Sequence, residues 1–250
     1  LDALETDPFN SSPVTHDCQV LEHRRSTGGV PRRVAVHCHA SSPELGSKLV
    51  QLMARSARDM DLFVTTPHEG LRLEFESALR QHHRGELRIT KLGASQGRLG
   101  ALADLIPQLA ASGAYEVVGH IQDEAPDLHP SPATSSSWLK HNTGLLWDEG
   151  DRLALVLGMF AEPDVGLVFA EDRRALGWMG TRELADRLVS GMQPSPALPQ
   201  APHFPIGGVF WARPAVLALL GQGLESTPDV LRPLGGDLGN KKGARVVERV

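Results

Sequence analysis

Cysteine is scarce, and it stands in no recognisable pattern. Cys18 and Cys38 are the only two in 250 residues, and neither belongs to a CxxC pair. A disulfide framework and a cysteine-rich zinc site are thereby excluded, and a reducing, cytoplasmic compartment is expected. Long apolar runs are missing too: nothing approaches the roughly 20 residues that span a bilayer, and the first residues lack the basic-then-apolar order of a secretion signal. The chain opens on Leu1 rather than Met, which leaves room for an anchor or a partner domain in a longer parent. Positive charge is in deficit, with 25 Lys and Arg against 30 Asp and Glu, a formal net charge of −5. The pairs Arg24-Arg25, Arg32-Arg33 and Lys241-Lys242 are short and read as solvated loop charges, so no nucleic-acid partner is expected. Several enzyme signatures are also wanting. There is no P-loop, no G-x-G-x-x-G, no G-x-S-x-G elbow and no H-E-x-x-H, which removes the usual support for nucleotide hydrolysis, dinucleotide redox, serine hydrolysis and zincin chemistry.

What is present is a repeated alternation of strand and helix. With 41% hydrophobic and 22% charged residues the chain can bury a large core, and one globular domain is the default. Residues 1–30 show little periodicity and read as a lead-in segment, leaving 31–250 as the domain. RRVAVHCHA (32–40) alternates around a Val/Ala centre and runs into Ser41-Ser42-Pro43-Glu44, a helix-capping sequence, ahead of LGSKLVQLMARSA. The same order recurs. DLFVTTP (61–67) precedes LRLEFESALRQ, LRITKLG (87–93) precedes RLGALADLIPQLAA, and YEVVGHI (115–121) is followed, after a loop and a helix, by VGLVFAE (165–171). Such units imply an α/β, Rossmann-like, mainly parallel sheet with helices on both faces and its ligand crevice beyond the carboxyl ends of the strands. Two stretches rich in Pro and Ser or Ala, PDLHPSPATSSS (126–137) and MQPSPALPQAP (192–202), read as flexible excursions from the sheet edge, either gating a site or serving as surface linkers.

The strand ends carry the polar chemistry. His37 and His39, two apart on one strand, face the same side and can meet a phosphate or, with a third group, a metal. Gly97-Arg98 opens a helix, so main-chain N–H groups and a guanidinium can converge on an anion there. HIQDEAPD (120–127) concentrates Asp123, Glu124 and Asp127 where the fourth strand emerges. Carboxylates so placed can hold Mg²⁺ or Mn²⁺ against a diphosphate, or form an ordinary acidic loop. In HFPIGGVFWARP (203–214), Gly207 and Gly208 allow close backbone approach, Phe210 and Trp211 offer apolar faces, and Arg213-Pro214 ends a strand before the helix AVLALLGQ. Core packing accounts equally well for Phe204, Val209 and Phe210.

Taken in order, VAVHCHASSPEL, DLFVTTP, GRLGALADLIPQL, YEVVGHI, SSSWLKHNTGLLW, FAEPDVGLVFAE, HFPIGGVFWARPAVLALL and, weakly, GNKKGARVVERV resemble the rhamnan synthesis F family of bacterial polysaccharide-assembly proteins. That resemblance, from about residue 33 to the end, implies a GT-A-like glycosyltransferase fold. It also implies transfer of a sugar, a deoxyhexose such as rhamnose, from a nucleotide-diphosphate sugar to a cell-surface polysaccharide. The expected setting is the cytoplasm at the inner face of the membrane, beside membrane-bound assembly machinery or other domains of a longer chain. Its F-P-x-G-x-x-F-W-x-R-P segment lines the acceptor side of the cleft. Roles then follow from position. His39, Thr65, Gly97, Arg98 and His120 are assigned to the donor, Asp123 and Glu124 to the base or a Mg²⁺ or Mn²⁺ site, and Gly207, Gly208 and Trp211 to the glycan acceptor.

Three departures temper that assignment. The family's N-x-G-R-D becomes Ser95-Gln96-Gly97-Arg98-Leu99, its basic stretch after the fourth strand becomes His120-Ile121-Gln122-Asp123-Glu124-Ala125, and its D-G-T becomes Asn240-Lys241-Lys242. A non-catalytic glycan-binding or assembly domain is therefore the alternative, since a fold outlasts such changes more readily than its chemistry.

Overall fold

The computed structural model describes residues 31–57, 59–93, 98–111, 113–123, 132–147, 151–170, 177–178, 180–200, 202, 204–205 and 208–228. The lead-in segment, Glu124, Gly97, Gly207 and the last stretch, 229–250, lie outside them.

Among the described residues six strands form one sheet. β1 (Val34–His39), β2 (Asp61–Thr66), β3 (Leu87–Lys91) and β4 (Val117–Gln122) fall within a few residues of the segments expected from the sequence, as does β5 (Leu167–Phe169). β6 (Phe210–Ala212) is the short strand inside HFPIGGVFWARP. The sheet order is β3-β2-β1-β4-β6-β5. Pairings from β3 to β4 are parallel, whereas β6 runs antiparallel to both β4 and β5. Among the described residues seven helices flank the sheet: α1 (Pro43–Ser56), α2 (Glu69–Leu79), α3 (Arg98–Leu109), α4 (Pro132–Leu146), α5 (Asp151–Gly158), α6 (Arg182–Ser190) and α7 (Pro214–Ser226). This is the Rossmann-like α/β architecture, a mainly parallel sheet flanked by helices, that the sequence led us to expect.

Strand alternation sorts the core into two layers. Val36 and Cys38 of β1, Leu62 and Val64 of β2, Ile121 of β4 and Trp211 of β6 meet Leu49 and Met53 of α1, Phe75 of α2 and Trp138 of α4 on one face. On the other, Ala35, Phe63, Val118, Phe210 and Ala212 meet Leu102 and Ile106 of α3, Leu188 of α6 and Leu217 of α7. Each fully buried Leu or Phe contributes about 1.5–3 kcal/mol relative to exposure. Local chemistry sets the helix starts. Ser42 caps α1, its hydroxyl accepting from Leu45 N at 3.3 Å, with Pro43 following at the first helical position. Arg213-Pro214 ends β6 and starts α7 as expected.

The described parts of both excursions, 132–137 and 192–200 with 202, are more structured than their composition suggested, while 126–131 and 201 lie outside the described residues. Residues 132–137 belong to α4, which opens on Pro132, where a missing N–H costs nothing, and is held by buried Trp138, Leu139, Asn142 and Leu146. The second is irregular but anchored. Met192 is buried, and the Pro199 carbonyl accepts from Trp178 Nε1 at 3.2 Å and from Arg182 Nη1 at 2.9 Å.

One glycine positions the strand that carries the opening motif. At Gly119 of β4 an added Cβ would lie 2.7 Å from Trp211 Cζ3 and 2.9 Å from Trp147 Cη2. The missing side chain is what lets the two indoles stack at 4.3 Å, while Trp211 Nε1 donates to the Leu146 carbonyl at 3.1 Å.

Candidate functional site

The chain builds β1, β2 and β3 outward in one direction, then returns to place β4 on the other side of β1. The crevice between the carboxyl ends of β1 and β4 is therefore the topological switch point, where ligands bind in open α/β sheets. A row of polar side chains gathers there, all on the α3 face because their positions share parity. Register pairs His37 with His120 and His39 with Gln122 across β1 and β4, and His39 with Thr65 across β1 and β2.

One hydroxyl joins two of the imidazoles. Thr65 Oγ1 lies 2.8 Å from His37 Nε2 and 2.9 Å from His39 Nδ1. A hydroxyl has a single proton to give, so at most one of the two nitrogens accepts from it. His37 Nδ1 is buried with no hydrogen-bond partner among the described residues. A bare lone pair there costs less than an orphaned N–H, which assigns the proton to His37 Nε2, whose N–H donates to Thr65 Oγ1. The His37 and His120 rings stack at 4.8 Å, and His120 tilts against Phe210 at 5.3 Å. Burial above all, then the neighbouring His120 and His39, holds the His37 imidazole well below the ordinary histidine range. His37 thus enters the row as a neutral hydrogen-bonding group.

A second set of bonds ties the loops above the strand ends together. Asp123, fully buried just after β4, accepts from Ser41 N and Ser41 Oγ on Oδ1 and from Ser42 N on Oδ2, each at 2.8 Å. His68 Nε2 lies 2.7 Å from the Ser41 carbonyl, and His68 N donates to Thr66 Oγ1 at 3.1 Å. Burial first, and then the Asp123 charge, raises the Cys38 thiol well above its usual range, which leaves it protonated.

Among the residues assigned from sequence, His39, Thr65 and His120 are brought together, but they lie beneath the rim, only 2%, 3% and 3% exposed. Arg98 begins α3 as expected, and its side chain lies outside what is described, as do Gly97, Glu124 and Gly207. Asp123 stands at the end of β4 with both oxygens engaged by Ser41 and Ser42. Among the described residues no group of three His, Cys, Asp or Glu is placed to hold a metal ion. Gly208 keeps φ +69 and packs over the row, its missing Cβ position 3.5 Å from Gln122 Nε2 and 3.7 Å from His120 Nε2. Trp211 lies in the core of the opposite face, fully buried, and presents no surface to an acceptor.

Three participants escaped the sequence assignment. Gln122 could have been found from i, i+2 parity with His120. Ser41 and His68 gave no signal, because their roles depend on loops that meet only after folding.

No protein-family model matches the sequence, nor does any curated protein, so the resemblance to the rhamnan synthesis F family stands on the quoted segments alone. Among solved structures the chain is similar to the mannosyltransferase PcManGT from Pyrobaculum calidifontis, in complex with GDP-Man and Mn²⁺. Identity is 16% and the TM-score 0.47, over 77% of this chain and 47% of that one. The present chain thus spans less than half of that protein's length.

Proposed function

We propose that this chain is a nucleotide-sugar-dependent glycosyltransferase, with the donor seated over the crevice between β1 and β4. The observation that carries the reading is the polar row at the switch point, His37, His39, Thr65, His120 and Gln122, on a face of the sheet whose other buried positions, Ala35, Phe63, Val118, Phe210 and Ala212, are apolar. Buried polar groups are costly without a purpose or a partner, and these cluster where an α/β sheet takes its ligand. The family resemblance supplies the chemical class, and a deoxyhexose such as rhamnose is the sugar it favours.

In the transfer, the bond from the anomeric carbon to the diphosphate breaks as a bond to the acceptor oxygen forms. The acceptor hydroxyl proton passes to a carboxylate, for which Glu124 is our candidate, since the Asp123 oxygens are already engaged. Arg98, at the start of α3, would meet the leaving diphosphate together with the helix N-terminus. A Mg²⁺ or Mn²⁺ ion on the acidic loop, Glu124 first, would supply further charge neutralisation. The backbone around Gly207 and Gly208 would face the glycan acceptor. Engagement of Asp123 also favours a second reading, a non-catalytic glycan-binding or assembly domain.

Calorimetry with a panel of nucleoside-diphosphate sugars, with Mn²⁺ and with chelator, tests the first reading. Wild-type protein should bind at least one of them, and Arg98→Ala should weaken that binding by roughly 1–3 kcal/mol. Failure of every nucleotide sugar to bind would overturn it. Binding without transfer or donor hydrolysis would select the second reading.

A further inference from the structure

The end of β4 and the turn that follows β1 are held by one carboxylate, and the bond pattern is specific. Ser41 offers its main-chain N–H and its hydroxyl to Oδ1 of Asp123, while Ser42 offers its main-chain N–H to Oδ2. Ser42 in turn caps α1 through its own hydroxyl. From the other side, His68 at the head of α2 lies against the Ser41 carbonyl, 2.7 Å from its Nε2. Asp123 N also donates to the His39 carbonyl at 3.3 Å, continuing the β1–β4 pairing past its last strand residue. The turn between β1 and α1 is thus fixed from β4 and from the start of α2 at once, directly above His39 and Thr65.

We propose that Asp123 is a positioning residue of the donor site, setting the conformation of the Ser41-Ser42 turn rather than binding a metal or taking a proton. The proposal rests on the reading of the β1–β4 crevice as a donor site, but the brace itself can be tested without any ligand. Three charge-assisted bonds occupy three of the carboxylate's roughly four lone-pair sites, and the side chain is fully buried. An amide in its place keeps an acceptor for Ser41 but turns an N–H₂ toward the Ser42 N–H, setting donor against donor.

Hydrogen exchange on the whole chain reads the brace directly. In Asp123→Asn the Ser41 and Ser42 amides should exchange roughly ten- to a hundredfold faster while those of β1 and β4 stay protected. Ser41→Ala, which keeps the carboxylate and deletes one of its three donors, should give a smaller acceleration at Ser42 and remains informative if Asp123→Asn does not fold. Unchanged protection of the Ser42 amide in Ser41→Ala, or of both amides in folded Asp123→Asn, would overturn the proposal.

The functional arm uses Mn²⁺ and whichever nucleoside-diphosphate sugar binds the wild type. Folded Asp123→Asn should weaken its binding by the same factor with Mn²⁺ and with chelator, and Ser41→Ala should weaken it in the same sense. Loss of the Mn²⁺ response confined to Asp123→Asn, with Ser41→Ala unaffected, would instead make Asp123 a metal ligand. If no nucleotide sugar binds the wild type, the donor-site reading fails, and the exchange result alone then decides whether the brace exists.

Discussion

Gly208 gives the sharpest test of how the opening motif is built. Its φ of +69 lies in the left-handed region, and an added Cβ would rest 3.5 Å from Gln122 Nε2 and 3.7 Å from His120, ordinary contact rather than collision. Steric room and backbone conformation therefore separate. Ala at this position meets only the conformational cost, about 1–2 kcal/mol. Asn, which visits the left-handed region more readily, should lose about half of that or less. Val combines a β-branched side chain with methyl groups pushed onto His120 and Gln122, adding about 1–3 kcal/mol of overpacking. In a domain of this size 1 kcal/mol moves the melting temperature by roughly 2–4 °C, so the order of loss should be Asn, then Ala, then Val. The assay is a thermal melt of the three variants beside donor and acceptor binding by the folded ones. If the backbone here also forms the acceptor floor, Gly208→Asn should remain folded and bind donor while losing acceptor. Equal stability of Gly208→Val and wild type would refute the conformational argument, and Asn melting below Ala would refute the strain ordering.

Two further predictions concern titration. His37 has a folded pKa depressed below its ordinary 6.5, so the unfolded chain takes up its proton first. Stability from this residue is intact above about pH 6.5 and is lost as pH falls from there toward the folded value. Melts over that range should show a falling midpoint, and His37→Gln should flatten the dependence; an identical slope in the variant would remove His37 as its source. Tyr115 is the single tyrosine of the chain. Burial first, then its hydrogen bond to Asp61 Oδ2 at 3.0 Å, raises the phenol to about 12. The stability it contributes is present below about pH 10 and lost as pH rises through 12. Ultraviolet titration of the native protein should place its midpoint near 12, moving down in Asp61→Asn, and a native midpoint near 10 would contradict the geometry.

Much of the sheet was legible because β1, β2 and β4 are buried on both faces and so appear as compact apolar runs, as in VVGHI or DLFVTT. The cap at Ser42 and the break at Arg213-Pro214 were legible for a different reason, since both are encoded within four residues of where they act. Direction was not. Three residues, Phe210 to Ala212, carry no mark of running antiparallel, and their place between β4 and β5 is decided by Gly119 making room for Trp211. The same fact moved Trp211 from an expected sugar platform to the core. For the site, local parity disclosed His37 beside His39, but their pairing with His120 and Thr65 needed the register of three strands separated by helices. Asp123 was correctly placed at a strand end, while its engagement with Ser41 and Ser42 could only come from the meeting of two distant loops.

The reversed strand has a consequence for how such a protein can diversify. Because β6 begins opposite His120 and proceeds toward Val118, the chain that feeds it arrives at the same edge where the parallel strands deliver His39 and Gln122. Insertions or deletions ahead of Gly208 would therefore remodel the mouth of the crevice, while the pairings of Phe210, Trp211 and Ala212 keep the sheet in register. A lineage can in this way change what the mouth admits by altering loop length, leaving the buried histidine floor and both core layers as inherited.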